Sequence, residues 1–444
     1  MRFSPGLRQN RLLKLMTSVV FTTELSAFFN FPAPCRRRNS KEEIMLTSLA
    51  FIFIFGLTLA AVCERLKLPR ILGMLATGII LGPCVLGLLD EKILSISSEL
   101  RQIALIIILI KAGLSLDIAD LKKIGRPALL MSFLPACFEV AAYTAIAPSL
   151  LGITRVEAAL MGSVLAAVSP AVVVPKMVKL MDEGYGTKKG VPQLILAGAS
   201  LDDVFVIVLF TTFTSLAQGG NINAVSFARI PVSIVCGIAV GSVFGLAVSS
   251  FFEFCFKSGR YIRNSTKVVI VLGLSFILVS LEDWLEGIIP LSGLLGVMAM
   301  ALIIKTKCVP SVSSRLSQKF AKLWIAAEVI LFVLVGAAVD IDYALSAGFG
   351  VVIMIFLALI FRVAGVFFCV LGTKLSRRER LFCMIAYIPK ATVQAAIGSV
   401  PLSLGLPCGA LILTVAVAAI IITAPLGAFG MDMTYKKFLE KESR

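Results

Sequence analysis

The stretch VPQLILAGASLDDVFVIVLFTTF, residues 191–213, places two adjacent carboxylates, Asp202 and Asp203, in the middle of an otherwise apolar run. A charge at the centre of a membrane helix costs roughly 2.5–3.5 kcal/mol on insertion scales, so such acids pair with other charges, face water or mark an ion path. Two side by side point to an ion or proton site. The alternative is a neutral, protonated pair hydrogen-bonded inside a bundle.

Composition fixes the setting of that run. Hydrophobic residues make up 58% of the 444 and charged residues 15%, and the mean hydropathy is +0.98. No soluble core of this length needs so much apolar surface, so the chain is an integral membrane protein. The net charge of +16 then reads as a topology signal and not as a nucleic-acid footprint. Ten cysteines are dispersed without a CxxC pair, which suggests neither zinc nor a disulfide framework. Histidine is absent, so any pH response falls to carboxylates or amines. No nucleotide loop, catalytic triad or metal signature is present, which argues against an enzyme and calls for no cofactor beyond transported ions.

Thirteen apolar segments are long enough to cross a bilayer: residues 46–63, 71–89, 100–117, 127–147, 155–176, 191–216, 228–254, 268–285, 289–305, 322–341, 347–371, 380–403 and 408–430. The loops between them alternate in charge. One set (64–70, 118–126, 176–190, 255–267, 305–322, 372–380 and the tail from 431) carries most of the Lys and Arg, whereas the other carries only Lys92, Arg101, Arg155 and Arg229. By the positive-inside rule the first set, and with it the C-terminus, is cytoplasmic, and the chain enters its first span from outside. Residues 1–44 fit this badly, because Arg36, Arg37 and Arg38 directly precede an outward-facing helix start. Either residues 12–31 form a weak extra helix or the natural chain begins near Met45; Lys14, Glu24 and several Ser and Thr favour the second.

Six helices, one linker helix and six more give two halves of opposite orientation, an inverted repeat. Two segments in corresponding places are interrupted by proline: MGSVLAAVSPAVVVPKM at Ser169-Pro170 and Pro175, and MIAYIPKATVQAAIGSVP at Pro389-Lys390. Proline inside a helix removes a hydrogen bond and clashes with the preceding turn. Matched breaks point to a midplane site where half-helix ends face ions. Glu139 and Arg362 lie one span ahead of Pro170 and Pro389, in equivalent places of the two halves. Opposite charges related by a pseudo-two-fold axis can meet near it, as a structural pair or as a gating latch. Lys390, at its break, is placed to neutralise the carbonyl-rich end of a half-helix.

Through LRQIALIIILIKAGLSLD, AAVSPAVVVPKM, EGYGTKKGVPQLILAGASLDDV, IPKATVQAAIGSV and ITAPLG, the chain resembles a bacterial member of the NHA-type sodium/hydrogen exchangers, within the monovalent cation/proton antiporter superfamily. The blocks fall between residues 99 and 427. The resemblance implies an all-α homodimer working by an elevator movement in a bacterial inner membrane. It divides the chain into an N-terminal extension (1–44), dimerisation helices (45–117 and 255–341), core ion-transport helices (118–218 and 342–430), a linker helix (219–254) and a cytoplasmic tail (431–444). It makes Asp202 and Asp203 the cation and proton site, with Asp203 the direct ligand. Arg362 stands where many bacterial relatives carry a lysine that salt-bridges the first aspartate.

The chemistry of the acids points the same way. A hard cation such as Na⁺ or Li⁺ prefers oxygen ligands, which two carboxylates with the oxygens of Ser169, Ser200 and Thr392 can supply. A doubly anionic site is too costly to carry across a membrane empty, so proton and cation compete for one place and exchange follows. Two other classes remain open beside Na⁺/H⁺ exchange or its K⁺ variant: a sodium-coupled solute symporter of similar architecture, and a channel or sensor using the same acids passively.

Overall fold

A computed structural model describes residues 45–115, 125–219, 224–259, 262–285, 291–340 and 348–442, all within the second of two compact units, Glu43–Arg444. The expected N-terminal extension, residues 1–44, lies outside the described residues, as do the side chains of Ser200, Asp283 and residues 224–231. The described residues form eighteen α-helices and no named strand. The first nine are α1 (Met45–Arg65), α2 (Arg70–Leu81), α3 (Glu91–Ser95), α4 (Ser97–Ser115), α5 (Arg126–Met131), α6 (Leu134–Leu151), α7 (Arg155–Leu165), α8 (Pro170–Asp182) and α9 (Val191–Ala217). The rest are α10 (Ala224–Lys257), α11 (Asn264–Trp284), α12 (Gly293–Lys307), α13 (Pro310–Ala337), α14 (Gly348–Val370), α15 (Arg377–Ala386), α16 (Thr392–Ile397), α17 (Val400–Ser403) and α18 (Gly409–Phe438).

Among the described residues nine helical runs are long and apolar enough to cross a membrane, with α5–α6 and α7–α8 each forming one run. The other four apolar segments fall short for local reasons. Segment 71–89 is helical only to Leu81, where Gly82 turns extended (φ −66°, ψ 171°). α4 carries Glu99, Arg101 and Lys111, α12 has only 15 residues, and segment 380–403 is broken into α15, α16 and α17.

Packing sorts the helices into two sets. In one, α2 and α4 lie against α13, α1 against α2, α4 and α11 against α12, and α10 along α12. In the other, α6 packs on α14 and α7, α9 on α7, α8 and α5, and α15 on α18 and α14. Close approach inside the first set relies on small residues, as is usual where lipid supplies no hydrophobic drive between helices. A Cβ on Gly241 of α10 would run into the backbone of Gly296 on α12.

The two broken segments begin alike. α7 opens with a capping box in which Glu157 N–H donates to Thr154 Oγ1 (3.3 Å) and Thr154 N–H donates to Glu157 Oε2 (2.8 Å). α15 opens with the same device, Ser376 and Glu379, at 3.3 and 2.7 Å. Each satisfies two otherwise orphaned donors at a helix start. After 11 and 10 residues respectively both helices stop, and non-helical residues follow before the next helix begins. Pro175 differs from expectation: α8 continues through it to Asp182, so the break in this segment is at Ser169-Pro170 alone. A single lost hydrogen bond is tolerated in a helix supported by packed neighbours, whereas Pro170 at the first helical position starts a helix.

Glu379 is almost fully buried yet anionic in its contacts. Burial pushes its carboxyl up, but the Ser376 backbone N–H and the Lys189 ammonium outweigh burial and hold it below the ordinary range. A carboxyl so held stabilises the fold above its unfolded value, about 4.3 for Glu, and that contribution disappears as pH falls through the lowered value. Glu379→Gln is therefore expected to lower the Tm at neutral pH and to flatten the fall of Tm on acidification below about pH 5. Parallel Tm-against-pH curves for the two proteins would contradict this role.

Candidate ion-binding site

The non-helical breaks of the two interrupted segments meet. Ser169 N–H, at the end of the first break, donates to the Pro389 carbonyl in the second at 2.8 Å. Close passage of α18 behind the second break needs Gly427, since a Cβ there would overlap the Pro389 ring. Lys390 N–H donates to Thr423 Oγ1 of α18 at 3.0 Å, fixing the backbone on its other side.

Four charges, three on helices and Lys390 in the second break, converge on this crossing, all fully buried. Arg362 of α14 lies 2.9 Å from Glu139 Oε2 of α6 and 3.1 Å from Asp202 Oδ2 of α9. Lys390 Nζ lies 2.6 Å from Glu139 Oε1 and also donates to Oε2 at 2.8 Å. Glu139 is thus shared by two cations and Arg362 by two acids. The same cations also reach the end of α7: Arg362 donates to the Ala166 carbonyl and Lys390 to the Leu165 carbonyl. Gln394 Nε2 adds a bond to the Ala167 carbonyl at 2.7 Å. Cations at a helix C-terminus complement the dipole and its free carbonyls. On the other face of the break, Val168 N–H donates to Asp202 Oδ2 at 2.7 Å. Arg362 Nε completes the network with the Tyr387 carbonyl at 2.7 Å.

Of the residues singled out by sequence, Asp202, Glu139, Arg362 and Lys390 are bonded into one network, and Pro170 and Pro389 flank the crossing. Asp203 stands beside them, 7% exposed, with no ion pair among the described residues. Among the buried oxygens without a hydrogen-bond partner are Asp202 Oδ1, Asp203 Oδ1, Ser169 Oγ and Thr392 Oγ1. Buried oxygens are normally satisfied, so these four, on α9, the end of the first break and the start of α16, are candidate ligands for a hard monovalent cation or a proton. Among the described residues no cluster of three or more His, Cys, Asp or Glu gathers anywhere, as a divalent or transition metal would demand.

Sequence reasoning placed Lys390 at a helix end but missed its bond to Glu139, because contacts between residues 139 and 390 leave no local pattern. It also missed Gln394, although that residue had a signal. Gln394 Oε1 accepts from Ala391 N–H at 2.8 Å, closing a turn of the capping-box spacing at the start of α16.

The family model described as "Sodium/hydrogen exchanger, transmembrane" matches residues 49–436. The human protein named sodium/hydrogen exchanger 9B2 is 35% identical over 392 residues, covering 84% of this chain and 70% of that one. Human sodium/hydrogen exchanger 9B1 is 32% identical over 392 residues, covering 84% and 73%. Among solved structures, the sodium proton antiporter MjNhaP1 from Methanocaldococcus jannaschii at pH 8 superposes with a TM-score of 0.77 at 20% identity, over 89% of this chain and 98% of that one. That likeness is one of fold.

Breaking one side of a buried ion pair strands a charge at a cost of about 3–5 kcal/mol. Glu139→Gln leaves Arg362 and Lys390 without their shared carboxylate and is expected to lower the Tm in detergent sharply. The double variant Glu139→Gln/Lys390→Met removes the stranded charge and is expected to regain part of the loss. Strictly additive losses in this cycle would show that the two residues act independently.

Proposed function

We propose, from the premise that the chain belongs to the sodium/hydrogen exchanger family and exchanges Na⁺ for H⁺ across a membrane, that the exchanged ions take turns at Asp203 and Asp202. The unpaired oxygens of both acids, with Ser169 Oγ and Thr392 Oγ1, support this reading most directly. Asp203 is the direct ligand, as the acid without an ion pair; Asp202 lends one oxygen while Arg362 and the Val168 N–H hold the other. Ser200 belongs to the same proposal from sequence. The protein is a transporter, and the symporter and channel readings have no observation in their favour.

Charge at the crossing bears on stoichiometry. Three acids, Glu139, Asp202 and Asp203, face two cations, Arg362 and Lys390, leaving one negative charge. One Na⁺ or one H⁺ neutralises it, and a neutral cluster is the form cheapest to move through a low-dielectric region. The exchange is accordingly one for one and electroneutral, with Li⁺ as a second cargo of similar hardness.

Glu139, Arg362 and Lys390 form the frame that holds the crossed breaks together during alternating access. The helix set containing α5–α9, α14, α15 and α18 is the transport core; the set containing α1, α2, α4 and α11–α13 is the dimerisation scaffold of a homodimer, with α10 as linker. In this reading the four short or broken apolar segments also span, giving thirteen crossings, and the Lys- and Arg-rich loops place the C-terminus in the cytoplasm. The named relatives are human, so the bacterial inner membrane of the first expectation draws nothing from them.

Asp203→Asn is nearly isosteric and is expected to abolish Na⁺-driven proton movement in proteoliposomes while leaving the Tm close to that of the parent. Undiminished exchange in that variant would sink the assignment. In the parent protein, clamping the membrane potential should not change the rate, and raising Na⁺ tenfold should move the acid limb of activity down by about one pH unit. A rate that follows the potential, or a slope near two, would rule out one-for-one exchange.

A further inference from the structure

The loop EGYGTKKG, residues 183–190, links α8 to the aspartate-bearing α9 and takes no part in the crossing. It is occupied by another part of the chain. At the end of α18, Leu439 turns extended (φ −107°, ψ 136°) and is buried, sending residues 440–442 back along the loop. Gly186 N–H donates to the Glu440 carbonyl and Glu442 N–H to the Gly184 carbonyl, both at 2.8 Å, so that Tyr185 and Lys441 pair in an antiparallel bridge. Gly184 and Gly186 hold φ of +75° and +68°, a loop shape that glycine adopts without strain.

Side chains extend the contact to three more elements. The Thr187 hydroxyl donates to Glu442 Oε2 at 2.6 Å. Lys189 Nζ lies 3.0 Å from Glu379 at the start of α15 and 3.5 Å from Glu440. The Tyr185 ring meets Tyr435 of α18 edge to face at 5.2 Å, and Lys176 of α8 pairs with Asp432 of α18. Every element tied here (α8, α9, α15 and α18) belongs to the set that carries the crossing, and α8 and α15 are each half of an interrupted segment. The breaks separate α8 from α7 and α15 from α16, and this contact ties α8 and α15 to each other instead. Exposed ion pairs contribute little singly, and the backbone pairing makes this a specific mount.

We propose that residues 439–442 form a strap that clamps one end of α8, α9, α15 and α18 into a single body and stays docked while the ion site changes sides. This rests on the alternating-access reading above. It predicts that fastening the strap permanently does no harm and that releasing it does.

Tyr185 and Lys441 are a directly opposed, non-hydrogen-bonded antiparallel pair, whose Cα atoms stand about 4.5 Å apart, within the range a disulfide needs. The full chain carrying Tyr185→Cys and Lys441→Cys, with each single variant as control, is to be reconstituted and assayed for Na⁺-driven proton exchange before and after oxidation. Exchange by the oxidised double variant is expected to stay within about twofold of the reduced form. Ending the chain after Phe438 is expected to slow exchange by about tenfold or more. Adding Thr187→Val to the double variant, which removes the Glu442 contact, should slow exchange when reduced and recover it when oxidised, a rescue that a general loss of folding would not show. Exchange blocked by oxidation and restored by reductant would overturn the proposal, since the strap would then have to open in each cycle. Full activity after truncation at Phe438 would overturn it equally. Reduced parent protein supplies the reference rate, so a failure of exchange itself reads separately from a failure of the strap.

Discussion

Charges buried in a membrane protein must neutralise one another, and here that requirement organises the site. Glu139 is claimed by both Arg362 and Lys390, and Arg362 by both Glu139 and Asp202. These residues come from α6, α14, the second break and α9, so satisfying their charges brings four distant parts of the chain to one point. The carbonyls freed where α7 stops are taken by the same two cations. A break that would otherwise leave polar backbone groups in an apolar interior is therefore closed by the network that holds the acids.

The identity of the central cation matters for the same reason. All three nitrogens of Arg362 are engaged: Nε with Tyr387, one terminal nitrogen with Glu139 and Ala166, the other with Asp202. A planar fork with five donors can serve partners in several directions at once, whereas a lysine offers one nitrogen. Here the second cation, Lys390, supplies that single-point contact to Glu139 and the α7 end. The work is divided between a fork that spans and an ammonium that caps.

Much of this was legible in the chain and some was not. The apolar segments, the adjacent acids and the matched breaks at Pro170 and Pro389 are local patterns, and each reports a local physical conflict between apolar surroundings and a charge or a missing N–H. The approach of Glu139 to Arg362 was reachable because the repeat supplied a symmetry relating them. Lys390 meeting Glu139 was not, since no periodicity links a residue in a break to one on a distant helix. Pro175 misled for the opposite reason: its local signature matches that of a helix breaker, and only packing around α8 decides that the helix continues. The capping boxes at Thr154-Glu157 and Ser376-Glu379 were readable as Thr or Ser followed three residues later by Glu, and they mark the paired starts of the interrupted segments.

The contrast between the two aspartates follows from what the network leaves over. Asp202 has one oxygen committed to Arg362 and the Val168 N–H, which balances its charge and fixes its position. Asp203 has no such partner and retains the single uncompensated charge of the cluster. On the proposed function, a group balanced by fixed protein charges contributes only its free oxygen to an exchanged ion, whereas a group without them draws its counter-charge mainly from that ion. In the proposed reading the protein separates two tasks that adjacent acids of one helix would otherwise share: Asp202 anchors α9 to the crossing, and Asp203 is left for the exchanged cation or proton.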